Sequence, residues 1–148
     1  EFGLYFPTTR EEIPESDIVE LKSYQGTGQN VLVIDDMEEQ RELASRILIL
    51  LGYNVKAVSS GEKAIETCSS EQFDLLILDM IMPGGMDGCA TYEKIAAHRP
   101  GQKAIITSGF SDNTSVRKAQ ELGAGSYIKK PYTVESLARA IYQELASA

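Results

Sequence analysis

At four points in the sequence a short apolar run ends in a side chain able to do chemistry. VLVI leads into Asp35 and Asp36, LLIL into Asp79, KAIIT into Ser108 and Gly109, and SYIK into Lys130 and Pro131. An acid pair, a third acid, a hydroxyl and an ammonium are the groups that hold a divalent cation beside a phosphoryl group. Two carboxylates about 4 Å apart repel by roughly 4 kcal/mol at an effective dielectric near 20, so three brought together require a shared proton or a cation. Oxygen donors with no neighbouring His or Cys select a hard ion, Mg2+ or Mn2+, over zinc. Mg2+ keeps several waters and usually bridges to phosphate. A Lys ammonium is a mobile point charge suited to phosphoryl oxygens, and an Asp79 carboxylate screened by both can attack phosphorus in line to become an acyl phosphate.

Each residue alone has a blander reading. Asp36-x-x-Glu39 is a capping box, Asp79 before Met-Ile-Met-Pro is a turn former, and Ser108-Gly109 and Lys130-Pro131 are ordinary loop pairs. His98, the single histidine, suits a helix end better than catalysis. Only the placement of all these groups at successive strand ends favours a site.

The elements that place them follow from periodicity. From Val31 onward, short β-branched runs alternate with amphipathic segments, the pattern of βα units around a parallel sheet. Strands are expected at Val31 to Ile34, Asn54 to Val58, Leu75 to Leu78, Lys103 to Thr107 and Ser126 to Lys129. The first helix is expected over about Met37 to Leu51, burying Leu43, Ile47 and Leu51 and stopped by Gly52. A second follows the capping box Ser59-x-x-Glu62 and carries Ala64, Ile65 and Cys68. The third runs from about Cys89 to His98 before Pro100, the fourth from about Asp112 to Leu122 with Val116 and Ala119 inward. Thr133 caps the last, which aligns Val134, Leu137, Ile141 and Leu145. Five right-handed units give an α/β, flavodoxin-like, doubly wound (βα)5 fold whose five-stranded parallel sheet has the order 2-1-3-4-5. Ligands of such sheets lie beyond the carboxyl ends of the strands, at the switch between the first and third, where the three acids converge.

Bulk properties narrow the setting. With 148 residues, 43% of them hydrophobic, the chain has material for one domain and a real core. A formal charge of −8 argues against a nucleic-acid surface, which needs clustered Lys and Arg. Cys68 and Cys89 lack metal-site spacing and read as small core residues. The longest apolar stretches, Ile47 to Leu51 and Leu75 to Leu78, are far too short to span a bilayer, so a cytoplasmic domain without direct membrane contact is expected, any anchor belonging to a longer parent. Residues 1–30 hold six acids, two bases and two prolines and read as a linker, with Phe2 to Phe6 as an isolated strand ended by Pro7.

VLVIDD, LLILDMIMPGGMDG, IITSG and YIKKP, in this order and spacing, resemble the receiver domain of two-component response regulators over about Val31 to Ala146. The resemblance implies a receiver at 31–148 that catalyses its own phosphorylation and dephosphorylation. Asp79 would take a phosphoryl group from the histidine of a kinase or a histidine phosphotransfer domain. It further implies that Asp36, Asp79 and the Ile81 carbonyl hold Mg2+, with Asp35 acting mainly through water, and that Ser108 and Lys130 contact phosphoryl oxygens. Ser108 and Tyr127 would form a switch that alters the face of helix four, strand five and helix five, and the Lys130-Pro131 peptide would be cis. The resemblance leaves open whether that face forms a homodimer.

Three features depart from the family pattern. MPGGMDG has one residue more than the commoner loop, Ser108 replaces Thr, and apolar Ile81 and Phe110 stand two residues after Asp79 and Ser108, where they are expected to slow hydrolysis of the acyl phosphate. EFGLYFPTTREE resembles the closing strand of a histidine-kinase ATPase domain, which makes residues 1–30 the end of such a domain plus a linker, and the whole the C-terminal receiver of a hybrid sensor kinase. With the chain ending just after the last helix, no output domain is expected in it. Two other classes compete. An aspartyl phosphatase would want an acid where Ile81 stands, and a flavin carrier would want a Ser/Thr/Gly-rich loop after the first strand.

Overall fold

The computed structural model describes residues 24–83, 85–109 and 114–146. The expected strand at Phe2 to Phe6, and the expected contributions of Phe110 and Asp112, lie outside the described residues. Among the described residues five strands and five helices alternate: β1 (Asn30–Ile34), α1 (Glu38–Leu50), β2 (Asn54–Val58), α2 (Gly61–Ser70), β3 (Leu75–Asp79), α3 (Gly88–His98), β4 (Ala104–Ser108), α4 (Thr114–Glu121), β5 (Tyr127–Lys129) and α5 (Val134–Ala146). The strands form one sheet in the order β2-β1-β3-β4-β5, and every neighbouring pair is parallel. This is the doubly wound order read from the sequence.

The alternation of side chains along each strand divides the core in two. Val31, Val33, Leu75, Ile77 and Ile105 face one layer, made by Ala44, Ile47 and Leu48 of α1 and Leu137, Ala138 and Ile141 of α5. Leu32, Ile34, Leu76, Leu78 and Ile106 face the other, made by Ala64 and Cys68 of α2, Tyr92 and Ile95 of α3, and Val116 and Ala119 of α4. β3 and β4 are buried along their whole length, which is why they read as unbroken apolar runs. β2 is the exposed edge, and its Lys56 suits that position. Both cysteines are buried and free.

Three local expectations shift. Leu43 lies on the solvent side, 44% exposed, because the buried stripe of α1 runs through Ala44, Ile47 and Leu48. The cap of α2 is Ser60, whose hydroxyl accepts from Lys63 N at 3.1 Å, one residue later than the box at Ser59. At α1 the N-cap is Met37, with no side-chain cap, so Asp36 does not close the box with Glu39. Thr133 does cap α5, its hydroxyl accepting from Ser136 N at 3.0 Å.

Candidate functional site

The topology delivers the polar strand ends to one edge. Ile34 is paired with Leu78, so the next residues, Asp35 and Asp79, emerge side by side at the switch between β1 and β3. Asp79 is paired with Thr107 and Ser108 with Lys129, which brings Lys130 to the same edge; its backbone N–H donates to the Ser108 carbonyl at 2.8 Å. One carboxylate oxygen from each of Asp35, Asp36 and Asp79 lies within 4.8 Å of the others. Asp35 and Asp79 are buried, each 5% exposed, while Asp36 faces solvent. With its capping role absent, Asp36 is free to serve as the outer wall of this cluster.

Lys130 reaches back across the edge. Its Nζ lies 2.7 Å from Asp35 Oδ2 and 3.4 Å from Asp79 Oδ1, so one ammonium is shared by two buried acids. Burial pushes the Asp79 carboxyl up to about 6, with the Asp35 charge adding to the rise; Lys130 and the Ile81 N–H pull the other way without cancelling it. That N–H lies 3.4 Å from Asp79 Oδ1. Asp79 is thus a buried acid beside a second one, with the Lys130 ammonium shared between them. Adjacent oxygens around octahedral Mg2+ stand about 3 Å apart, and one oxygen from each of the three carboxylates already lies within 4.8 Å of the others. The oxygen-only donor set of Asp35, Asp36 and Asp79 suits a hard divalent ion.

The backbone around the acids is fixed by contacts of its own. Asp35 Oδ1 accepts from Met37 N at 2.9 Å, and its carbonyl accepts from Arg41 Nη1 at 2.8 Å. On the other side Gly88, the first residue of α3, lies so close to β3 that a Cβ there would come within 2.4 Å of the Asp79 carbonyl oxygen. Gly88 N donates to the Met80 carbonyl at 3.1 Å, and Asp87 caps the helix by accepting from Ala90 N at 2.8 Å. Gly88 thus seats the start of α3 directly against the end of β3.

Ser108 is buried at the end of β4. Tyr127 is half-buried beside it, with its hydroxyl 3.4 Å from the Ser108 carbonyl. The Ile81 side chain is 43% exposed at the lip. The Lys130-Pro131 peptide is cis. Two further residues went unread in the sequence. Arg41 holds the Asp35 carbonyl, six positions along the chain, where only an i, i+6 link from strand end to helix could have pointed to it. Tyr132, two residues after Lys130, has its hydroxyl pushed up to about 12, by burial first and then by the charges of Asp35 and Asp79, which marks it as a neighbour of the acids.

Residues 31–142 match the family model of the response regulator receiver domain. A cyclic di-GMP phosphodiesterase of Thermotoga maritima is 36% identical over 107 residues, covering 72% of this chain and 28% of that protein. The chain therefore spans little more than a quarter of that relative. Sporulation initiation phosphotransferase F of Bacillus subtilis is 26% identical over 117 residues, covering 79% of this chain and 94% of that protein. Among solved structures, a CheY-like receiver domain protein from Methanospirillum hungatei JF-1 superposes with a TM-score of 0.76 at 27% identity, covering 80% of this chain and 94% of that one.

Proposed function

The chain belongs to the response regulator receiver family, and we propose that it is the phosphoacceptor of a phosphorelay, taking a phosphoryl group from a donor histidine onto Asp79. One observation carries the reading: Lys130 Nζ sits 3.4 Å from Asp79 Oδ1, beside three carboxylates gathered at the switch point of the sheet. In the transfer an Asp79 oxygen forms a bond to phosphorus while the donor's N–P bond breaks. The departing imidazole keeps the bonding electron pair. Lys130, already poised between Asp35 and Asp79, meets the negative oxygens of the arriving group, and the Ser108 hydroxyl donates to another.

Asp36, Asp79 and the Ile81 carbonyl would hold Mg2+, with Asp35 acting mainly through water. When bound, the ion supplies positive charge to Asp79 and to the phosphoryl oxygens. Ser108 drawn toward the phosphoryl group makes room for Tyr127 to turn inward, which changes the surface of α4, β5 and α5 offered to partners. The apolar Ile81, where a phosphatase would carry a general acid, supports an acceptor over a hydrolase of free phosphate esters.

The wider setting is part of the proposal. Among the described residues no helix is long and apolar enough to cross a membrane, which supports a cytoplasmic domain, and a charge of −8 supports protein partners over nucleic acid. The resemblance of EFGLYFPTTREE to the end of a kinase ATPase domain supports a place behind such a domain in a hybrid kinase. The test is intact-mass measurement after incubation with Mg2+ and acetyl phosphate. Wild type should gain one phosphoryl group and Asp79→Asn none; a gain in both, or in neither, would overturn the reading.

A further inference from the structure

The residues just before β1 have the composition of a free linker, yet they are bound to the domain along their length. Gly26 N donates to the Leu51 carbonyl at 2.7 Å and Gly28 N to the Gly52 carbonyl at 3.0 Å, while the Gln29 carbonyl accepts from Asn54 N at 2.9 Å. The Asn54 side chain donates to the Gly28 carbonyl at 2.8 Å. Gly26 lies against the buried ring of Tyr53 so closely that a Cβ would stand 2.3 Å from it, so the glycine is there for contact as much as for flexibility. At the upstream end the Tyr24 ring meets Tyr142 of α5 edge-on, with centroids 5.7 Å apart. Arg139 Nε lies 3.4 Å from the Tyr24 hydroxyl, and its Nη2 pairs with Glu135 at 3.1 Å.

We propose that Tyr24–Gln29 is a docked strap coupling the chain upstream of it, through α5, to the phosphoryl site. The inference rests on the phosphoacceptor reading. α5 is the mechanical link. Only Pro131, Tyr132 and Thr133 separate it from Lys130, so a Lys130 drawn toward a phosphoryl group moves the start of the helix. Its far end is held by Lys103, whose Nζ donates to the carbonyls of Glu144 and Leu145 at 3.0 and 3.2 Å. A helix loaded at one end and pinned at the other shifts at its middle, where Arg139 and Tyr142 meet the strap. Linkage then makes the effect reciprocal: if phosphorylation changes how firmly the strap docks, undocking it changes the affinity of the site by the same factor.

Amide hydrogen exchange on the full chain, with Mg2+ and with or without beryllofluoride as the phosphoryl mimic, tests both parts. The Gly26 and Gly28 amides should exchange at least about tenfold more slowly than in an unstructured peptide, and beryllofluoride should change their rates by about fivefold. Tyr24→Ala and Arg139→Ala, which approach the contact from opposite sides, should shift beryllofluoride affinity by about that factor, and Tyr24→Phe, which keeps the ring against Tyr142 but loses the hydroxyl that Arg139 meets, should match Arg139→Ala. Exchange of Gly26 and Gly28 at the free-peptide rate would overturn the strap. Protected glycines indifferent to beryllofluoride, with Ser108 and Lys130 amides responding, would overturn the coupling and leave the phosphoacceptor reading standing. Silence at Ser108 and Lys130 would overturn the phosphoacceptor reading, and the coupling with it.

Discussion

Replacing Asp79 by Asn should stabilise the domain when no divalent ion is present, by an amount set by pH. The Asp79 carboxyl titrates near 6 in the folded protein against 3.8 in its ordinary state, chiefly because it is buried and stands beside Asp35. The folded state therefore holds this proton more tightly than the unfolded chain does, so stability falls as pH rises. The cost is absent below the unfolded value of 3.8, grows between there and 6, and is fully present above. Two units correspond to about 3 kcal/mol, lessened by whatever the acids relax. Asn keeps the size and hydrogen-bonding capacity of the protonated acid without its charge. Urea unfolding of both proteins in EDTA should show Asp79→Asn ahead by about 1–3 kcal/mol at pH 8, with the gap closing near pH 4. Mg2+ should then favour wild type, since a ligand of the folded state stabilises by mass action. An Asn variant less stable at pH 8, or a gap independent of pH, would refute the electrostatic account of the site.

Other substitutions probe the remaining parts. Lys130→Met leaves Asp35 and Asp79 buried without their shared ammonium and should cost about 3 kcal/mol in metal-free urea titrations at neutral pH, while abolishing the phosphorylated state seen by mass. Gly88→Ala drives a methyl group into the Asp79 carbonyl and should cost about 1–3 kcal/mol in the same assay. Ile81→Gln opens the lip of the site to water and should shorten the half-life of the acyl phosphate severalfold in a mass time course, with Phe110→Gln acting in the same direction; unchanged half-lives would remove the shielding role of these side chains.

Much of this was visible in the sequence because parallel strands buried on both faces have to be apolar along their length. LLIL and AIIT could be read without knowing their neighbours, and the polar residue ending each run marked the edge of the sheet. Caps were less legible: Ser59 and Ser60 are chemically alike, and only backbone geometry selects Ser60. The box at Asp36 failed for a related reason, since the carboxyl of Asp35 already takes the Met37 N–H and Met37 becomes the cap. Leu43 was misplaced because a four-residue step drifts around a helix of 3.6 residues per turn. Arg41 and Tyr132 were missed because only the folded geometry brings Arg41 to the Asp35 carbonyl and Tyr132 into the field of the two acids. The glycines at 26 and 28 misled most, for glycine serves equally a mobile linker and a segment pressed against a ring.

The central claim is that the carboxylate of Asp79 itself becomes phosphorylated. Borohydride reduces an acyl phosphate at an aspartate to homoserine, so the protein treated with Mg2+ and acetyl phosphate, reduced and digested, reports the acceptor by peptide mass. Homoserine should appear at position 79, and only when Mg2+ is present. Reduction at another carboxylate, or phosphate retained on a serine or histidine with residue 79 unchanged, would contradict it.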